Sequence, residues 1–533
     1  MSIDKRWKNF LLLGIGGVLT GLTLAFPRFG FLEWLTLVPV GVFLLCVADS
    51  DKIRARSMYG YGFFFFMCFY AVVFHWFINL YPLEFIDGMT KWAAVVVVLA
   101  GCLGLSALQA LFGGLMFVTV RYLFKTHIMR ERPMLRPFAV AGLWAIYEWS
   151  QNIGWWGVPW GRLPIGQSEY VVGLQTASLV GSYFITAIIV AVNLCIAYAI
   201  VNRKSTKLMA IFTCAILVFQ YGAGAILYLV PTDSEKTVKV AAIQGNISSN
   251  EKWSFSNRSR TFEVYEEYTL KAAENGAQIV VWPETALPYE VTPTNNYGNY
   301  CSELAREAGV TILVGAFTKD AENNSYNSII CVLPDGSFHE TVYSKQRLVP
   351  FGEFVPMRGL FQILVPPLAE LVMSDDDIVA GTGSQVLALD GLNIGSLICF
   401  DSIYDHLARD SVRDGAQIIA LSTNDSWFTD SVALYMHNAQ AQIRAIENGR
   451  YVVRSANTGI STVITSKGEI VEQLEPLVEG MVISDVSVNS HSTLYSMIGN
   501  FVLFIFGMLL SLVFIADIKK NTIKRFEKKR EDA

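Results

Sequence analysis

Charge is scarce in this chain. Of its 533 residues only 16% are Asp, Glu, Lys or Arg, while 53% are hydrophobic, and the mean hydropathy is +0.39. That balance excludes an ordinary soluble protein of this size and requires a lipid-exposed portion. The net charge is −5, and no basic patch interleaved with aromatics occurs outside the membrane flanks, so nucleic acid is not an expected partner. Cys-x-x-Cys is missing and no His/Cys cluster has zinc-ligand spacing, so neither a metal nor another cofactor is expected. Histidine is sparse too. His75 and His127 fall among apolar runs, and His339, His406, His437 and His491 have no Cys or Asp pattern around them. Of eight cysteines, Cys46, Cys68, Cys102, Cys195 and Cys214 lie inside apolar runs, where a thiol is usually a small hydrophobe. Cys301, Cys331 and Cys399 remain, an odd number that leaves at least one free thiol as a candidate nucleophile.

The apolar residues are concentrated in two regions. Residues 1–230 and 494–516 hold nearly all the long apolar runs, giving about eight candidate spans at 9–27, 31–48, 58–80, 92–120, 137–151, 172–201, 208–230 and 495–516. No cleavable signal peptide is expected, because the first run is followed at once by another. Lys and Arg collect on alternate loops: Lys5 to Lys8, Lys52 to Arg56, Arg121 to Arg136, Arg203 to Lys207, and the tail from Lys519. The opposite loops hold little beyond Lys91 and Arg162. The positive-inside rule then places both termini in the cytoplasm and the polar stretch outside. The expected organisation is a transmembrane unit over 1–230, a periplasmic unit over 231–493, and a last span with a basic tail over 494–533.

From Thr237 the pattern changes. Short β-rich runs at 238–243, 278–282, 310–315, 327–333, 393–399, 417–422 and 451–454 alternate with helical stretches at 257–275, 297–308, 403–414 and 431–448, which predicts a layered α/β architecture. In such folds sites gather past the carboxyl ends of strands. That rule selects Glu284 after 278–282, Cys399 closing 393–399, Asn424 and Asp425 after 417–422, and Lys345 after a hairpin around Pro334-Asp335-Gly336. A thiol attacks a carbonyl only with a base beside it or as thiolate. Glu284 is the candidate base and Lys345 the cation for an oxyanion.

Trp282-Pro283-Glu284, Lys345 followed by Leu348-Val349-Pro350-Phe351-Gly352-Glu353, and Ile398-Cys399-Phe400, in this order, resemble the Glu, Lys and Cys motifs of the nitrilase superfamily. That resemblance implies an αββα sandwich. With the helical unit included, the whole chain resembles the apolipoprotein N-acyltransferase family of bacteria, which the run ending Phe351-Gly352-Glu353-Phe354-Val355-Pro356 also resembles. The family resemblance implies transfer of an acyl chain from a phospholipid, through a Cys399 thioester, to the α-amine of a diacylglyceryl-cysteine apolipoprotein within the bilayer. It also implies supporting roles for Glu353, Trp253, Asn424 and Asp401, and contacts to substrate from Trp253 and Trp427. Where the family commonly has Cys-Tyr-Glu, this chain has Cys399-Phe400-Asp401. The alternative reading is a membrane-tethered amidase or nitrilase that uses water as acceptor, for which one anchor would suffice.

The run 360–368 is apolar, yet too short and proline-broken to span a bilayer. It reads either as a core-packing insertion or as a lid dipping into the outer leaflet, with Phe361 and Leu364 touching acyl chains. The lid reading predicts that Phe361→Ser with Leu364→Ser weakens turnover of lipid substrates while the melting temperature holds; unchanged turnover rejects it.

Overall fold

The computed structural model describes residues 6–83, 89–248, 258–364 and 378–532. It separates into two units. One comprises residues 1–78, 90–229 and 500–533, and the other residues 79–89 and 230–499.

The first unit is helical. Among its described residues, six helical stretches are long and apolar enough to cross a membrane: Arg6–Ala25, Pro27–Val47, Lys91–Lys125, Ser182–Val201, Arg203–Leu229 and Phe501–Arg525. The chain is a multi-pass membrane protein. The remaining two expected spans fold as Ala55–Val73 and Arg136–Ser150, of 19 and 15 residues. Fifteen residues rise only about 22 Å, less than the ~30 Å hydrocarbon core. The last long helix starts at Phe501 rather than at 495, because Gly499 with φ +62° ends the short helix Leu494–Ile498. Within 27–47 the helix is broken between Thr36 and Val38. Asn193 fills the break: its Oδ1 accepts from Leu37 N at 2.9 Å and its Nδ2 donates to the Glu33 carbonyl at 2.9 Å. An unpaired backbone group at membrane depth costs several kcal/mol, so one buried amide repairs both.

The second unit is an αββα sandwich. Its strands are β1 (Thr237–Gln244), β2 (Ile279–Val281), β3 (Leu287–Glu290), β4 (Thr311–Lys319), β5 (Ser325–Val332) and β6 (Tyr343–Ser344). They continue with β7 (Leu387–Leu389), β8 (Leu392–Ile398), β9 (Ile418–Thr423), β10 (Val452–Ala456), β11 (Thr462–Ile464), β12 (Ile470–Gln473) and β13 (Gly480–Ser487). One sheet runs β13-β1-β2-β4-β5-β6 with β3 beside β4, and the other runs β12-β11-β10-β9-β8-β7. Strands β1, β2 and β4 are parallel, as are β8, β9 and β10, so their carboxyl ends open on common edges.

Alternation builds the layers. Val240, Val281, Leu313 and Ile329 of the first sheet meet Ile394, Ile398, Ile418 and Val453 of the second in one buried cluster. The opposite faces of the same strands, through Ala241, Val280 and Ile312, bury against Tyr265, Cys301 and Leu304 of the helices Arg258–Glu274 and Asn296–Ala308. Helices Asp405–Arg413 and Val432–Asn448 pack against the second sheet. The expected strands and helices of this unit form within a few residues of their expected bounds, and the layered class holds.

One close approach fixes the turn that carries Glu284. A Cβ on Gly315 of β4 would lie 2.1 Å from the Pro283 carbonyl oxygen and 3.0 Å from Glu284 Cα. Gly315→Ala should lower the unfolding free energy by about 1–3 kcal/mol, read by melting of the full-length protein; an unaltered melt would mean that the Pro283 turn retreats freely.

Candidate active site

Glu284 arrives by a strand that proline terminates. Trp282 N donates to Leu313 O at 2.9 Å, extending the ladder by one residue, and Pro283 has no N–H to continue it. The Trp282 ring is fully buried, stacked on Tyr265 at 4.8 Å with Nε1 donating to Thr269. Its carbonyl accepts from Ser422 of β9 at 2.8 Å, which ties the two sheets together beside the site.

Glu284 is 6% exposed, and its carboxylate accepts from two side chains and a backbone N–H. Oε1 accepts from Lys345 Nζ and from Asn327 Nδ2, each at 2.8 Å, and Oε2 accepts from the Asn424 backbone N–H at 2.8 Å. Lys345 is 2% exposed and also reaches Glu353 Oε2 at 2.9 Å. Asn327 Nδ2 bridges to Glu353 Oε1 at 3.0 Å, and Val349 N donates to Glu353 Oε2 at 2.9 Å. Burial alone would depress the lysine, but the two carboxylates overcome it and hold the ammonium well above the ordinary lysine range.

Cys399 does not close β8, as expected from sequence; the strand ends at Ile398 and Cys399 opens the turn Cys399–Ile403. Its φ of +48° lies in the left-handed region that side chains avoid, a strain that surrounding contacts must impose. Burial, then the negative charge of Glu284, pushes the thiol up, and Lys345 pulls it back only partly. These surroundings favour the thiol form of Cys399 over the thiolate.

Asp401 holds that turn against the lysine segment. It is fully buried; Oδ2 accepts from Tyr343 Oη at 2.8 Å and Ile398 N at 3.1 Å, and Oδ1 from Gln346 N at 3.2 Å and Arg347 N at 2.8 Å. Burial raises its carboxyl to about 6, against the pull of Lys345 and the Arg347 N–H. The shortened acid thus ties Ile398, the residue before Cys399, to Tyr343, Gln346 and Arg347 on either side of Lys345.

Behind Cys399 lies a network that sequence reading missed. His437 Nε2 is 3.2 Å from the Cys399 carbonyl, and its Nδ1 is 2.9 Å from Asp425 Oδ1. Arg454, fully buried in β10, donates to Asp425 Oδ2 at 2.6 Å. The dismissal of His437 as lacking an Asp neighbour is corrected: the aspartate lies twelve residues upstream, brought close by the turn between β9 and the helix Val432–Asn448. A charged residue inside the apolar run Tyr451-Val452-Val453-Arg454 was the available signal. Asn327 gave none. Cys399 Sγ and donor atoms of Asp425 and His437 lie within 4.8 Å of one another, a spacing that could suit a metal. The donor set does not suit one: Asp425 is already engaged by Arg454, Thr423 and His437, and the guanidinium supplies the positive charge.

The structure thus brings Glu284, Lys345, Glu353, Cys399, Asp401 and the Asn424 backbone together. Trp427 sits half-buried in the turn Ser426–Phe428. The backbone of Phe361 and Leu364 lies in the helix Arg358–Leu364, but their side chains, like Trp253 and residues 365–368, lie outside the described residues.

The fold defines a domain of the carbon–nitrogen hydrolase type in a chain that also carries a multi-pass membrane unit. Family models agree: Apolipoprotein N-acyltransferase N-terminal domain matches residues 16–195 and Carbon-nitrogen hydrolase matches 239–494. The apolipoprotein N-acyltransferase of Gloeobacter violaceus is 30% identical over 91% of this chain and 89% of its own length. That of Geobacter metallireducens is 30% identical over 94% and 93%. Saccharomyces cerevisiae Nit3, a member of branch 10 of the nitrilase superfamily, aligns over 48% of this chain and 92% of its own at 19% identity, with a TM-score of 0.38. The chain belongs to the apolipoprotein N-acyltransferase family and is an acyltransferase.

Burial would raise the Asp425 carboxyl, yet Arg454 and His437 hold it well below its ordinary range. A depressed folded-state value means its stabilisation is present above about pH 4 and is lost as pH falls further. Asp425→Asn should therefore cost about 3 kcal/mol near pH 7, with the difference shrinking below about pH 4, measured by unfolding of the full-length protein across pH.

Proposed function

We propose that the enzyme moves a fatty acyl chain from a phospholipid to the N-terminal amine of a diacylglyceryl-cysteine apolipoprotein, producing a triacylated lipoprotein. The observation that carries this reading is Lys345 buried between Glu284 and Glu353, on the loop tied by Asp401 to Cys399, in a chain of this family.

In the first half-reaction Glu284 takes the Cys399 proton as sulfur attacks the ester carbonyl, and the Lys345 ammonium stabilises the oxyanion. The C–O bond breaks, the proton passes from Glu284 to the departing glycerol oxygen, and a lysophospholipid leaves. In the second half-reaction the lipoprotein amine attacks the thioester. Glu284 takes the amine proton, the C–N bond forms, the C–S bond breaks, and the proton returns to sulfur. Glu353 keeps Lys345 in place, and the Asn424 N–H keeps the second oxygen of Glu284 from turning away. Trp253, Phe361, Leu364 and Trp427 are assigned to contacts with the lipid and lipoprotein chains. The distribution of Lys and Arg supports a bacterial inner membrane location with both termini cytoplasmic and the catalytic unit on the periplasmic face.

Purified protein given phospholipid and a diacylated lipopeptide should add one acyl chain to the lipopeptide, seen by mass. Without lipopeptide the protein itself should gain one acyl chain, and Cys399→Ala should gain none. Release of free fatty acid with no mass gain on the lipopeptide would instead support the membrane-tethered amidase reading.

A further inference from the structure

Two residues past Lys345 stands an arginine that these steps leave unused. The Arg347 backbone N–H donates to Asp401 Oδ1 at 2.8 Å, so its Cα is fixed to the loop that carries Cys399. Its side chain is half-exposed. The guanidinium carbon lies 4.8 Å from the centre of the Tyr404 ring, and Nη2 lies 3.3 Å from His406 Nε2. Phe400 meets Tyr404 edge-on at 5.5 Å, so this platform grows directly out of the turn that begins at Cys399.

The platform holds the arginine without neutralising it. Among the described residues no carboxylate pairs with Arg347. Burial, opposed by Asp405 and Asp410 and aided by Arg347, depresses His406, which favours the neutral ring as acceptor for the guanidinium. Only one of the five guanidinium N–H donors is needed for that contact. The rest form a fixed fork of the geometry that suits two oxygens of a phosphate. In a phospholipid the phosphate lies only a few bonds from the ester carbonyl that the thiol attacks. A cation without a carboxylate partner, on the loop that Asp401 ties to the Cys399 turn and distinct from the lysine assigned to the oxyanion, is thus available to that phosphate.

We propose that Arg347, on its Tyr404 and His406 platform, binds the phosphodiester of the acyl donor and makes the enzyme select phospholipids over uncharged glycerides. This rests on Cys399 being the acyl acceptor. The test uses the full-length protein in mixed micelles with phosphatidylglycerol or diacylglycerol and no amine acceptor, following acyl gain on Cys399 by intact mass. The ratio of the two rates should fall about tenfold or more in Arg347→Ala, the size expected for losing a charge-assisted hydrogen bond. Arg347→Gln keeps more of the side-chain length without the charge, and gives the same shift should the alanine variant fold poorly. A ratio equal to the wild type, even with both rates lowered, overturns the assignment and leaves Arg347 a structural residue. A wild type that takes no acyl chain from either donor overturns the reading of Cys399 itself, and this one with it.

Discussion

A lysine ammonium that water barely reaches, shared by two carboxylates, is the constraint on which the rest of the second unit depends. Moving three charges out of water costs several kcal/mol apiece, and mutual attraction repays it only where every remaining lone pair is also met. Here the additional partners are the Asn327 amide and the Asn424 and Val349 N–H groups. Each comes from a different segment, so the two sheets must be in register before the charges can be buried. Replacing such groups by apolar ones is often neutral or stabilising, so stability alone does not account for the cluster, whereas the proposed role of Glu284 as base does.

A second arrangement holds the proposed nucleophile. Cys399 sits in a left-handed backbone conformation, with its carbonyl met by Ser402 at 2.8 Å and faced by His437. Asp401 spans from that turn to the residues flanking Lys345. Strain at one residue can thus be maintained by hydrogen bonds to several others. The replacement of the family's usual Glu by Asp at this position changes the reach of the acid, yet the shorter side chain still collects four donors. Phe400, lacking a phenol, contributes an edge to Tyr404 instead.

Much of this was legible in the sequence because period and order are local properties. Glu284, Lys345 and Cys399 each follow a β-rich run, and strand ends are where side chains from different strands can meet. Glu353 and Asp401 came from resemblance. The buried histidine network did not, because His437 approaches Asp425 and Arg454 only when the helix Val432–Asn448 folds back over the second sheet. Asn327 lies within β5, where a polar residue carries no sign of which face or partner it will find. In the membrane unit hydropathy located the apolar segments but not the breaks at Thr36–Val38 and Gly181, which depend on Asn193 and on a positive φ. Strands β3, β7 and β11 were invisible because they span only three or four residues, and β12 because it is short and exposed; β13 has eight residues, but no clean alternation marks it, and it has meaning only as the antiparallel partner of β1.

The central claim is that Glu284 removes the proton from a Cys399 thiol that its surroundings keep protonated. It is tested most directly by the rate at which Cys399 gains an acyl chain from phospholipid, followed across pH in the wild type and in Glu284→Gln. The account predicts that the variant is about 10²–10⁴-fold slower at neutral pH, the usual worth of a general base, and that its rate climbs with pH as thiolate forms unaided. A variant that acylates at the wild-type rate at neutral pH would contradict it.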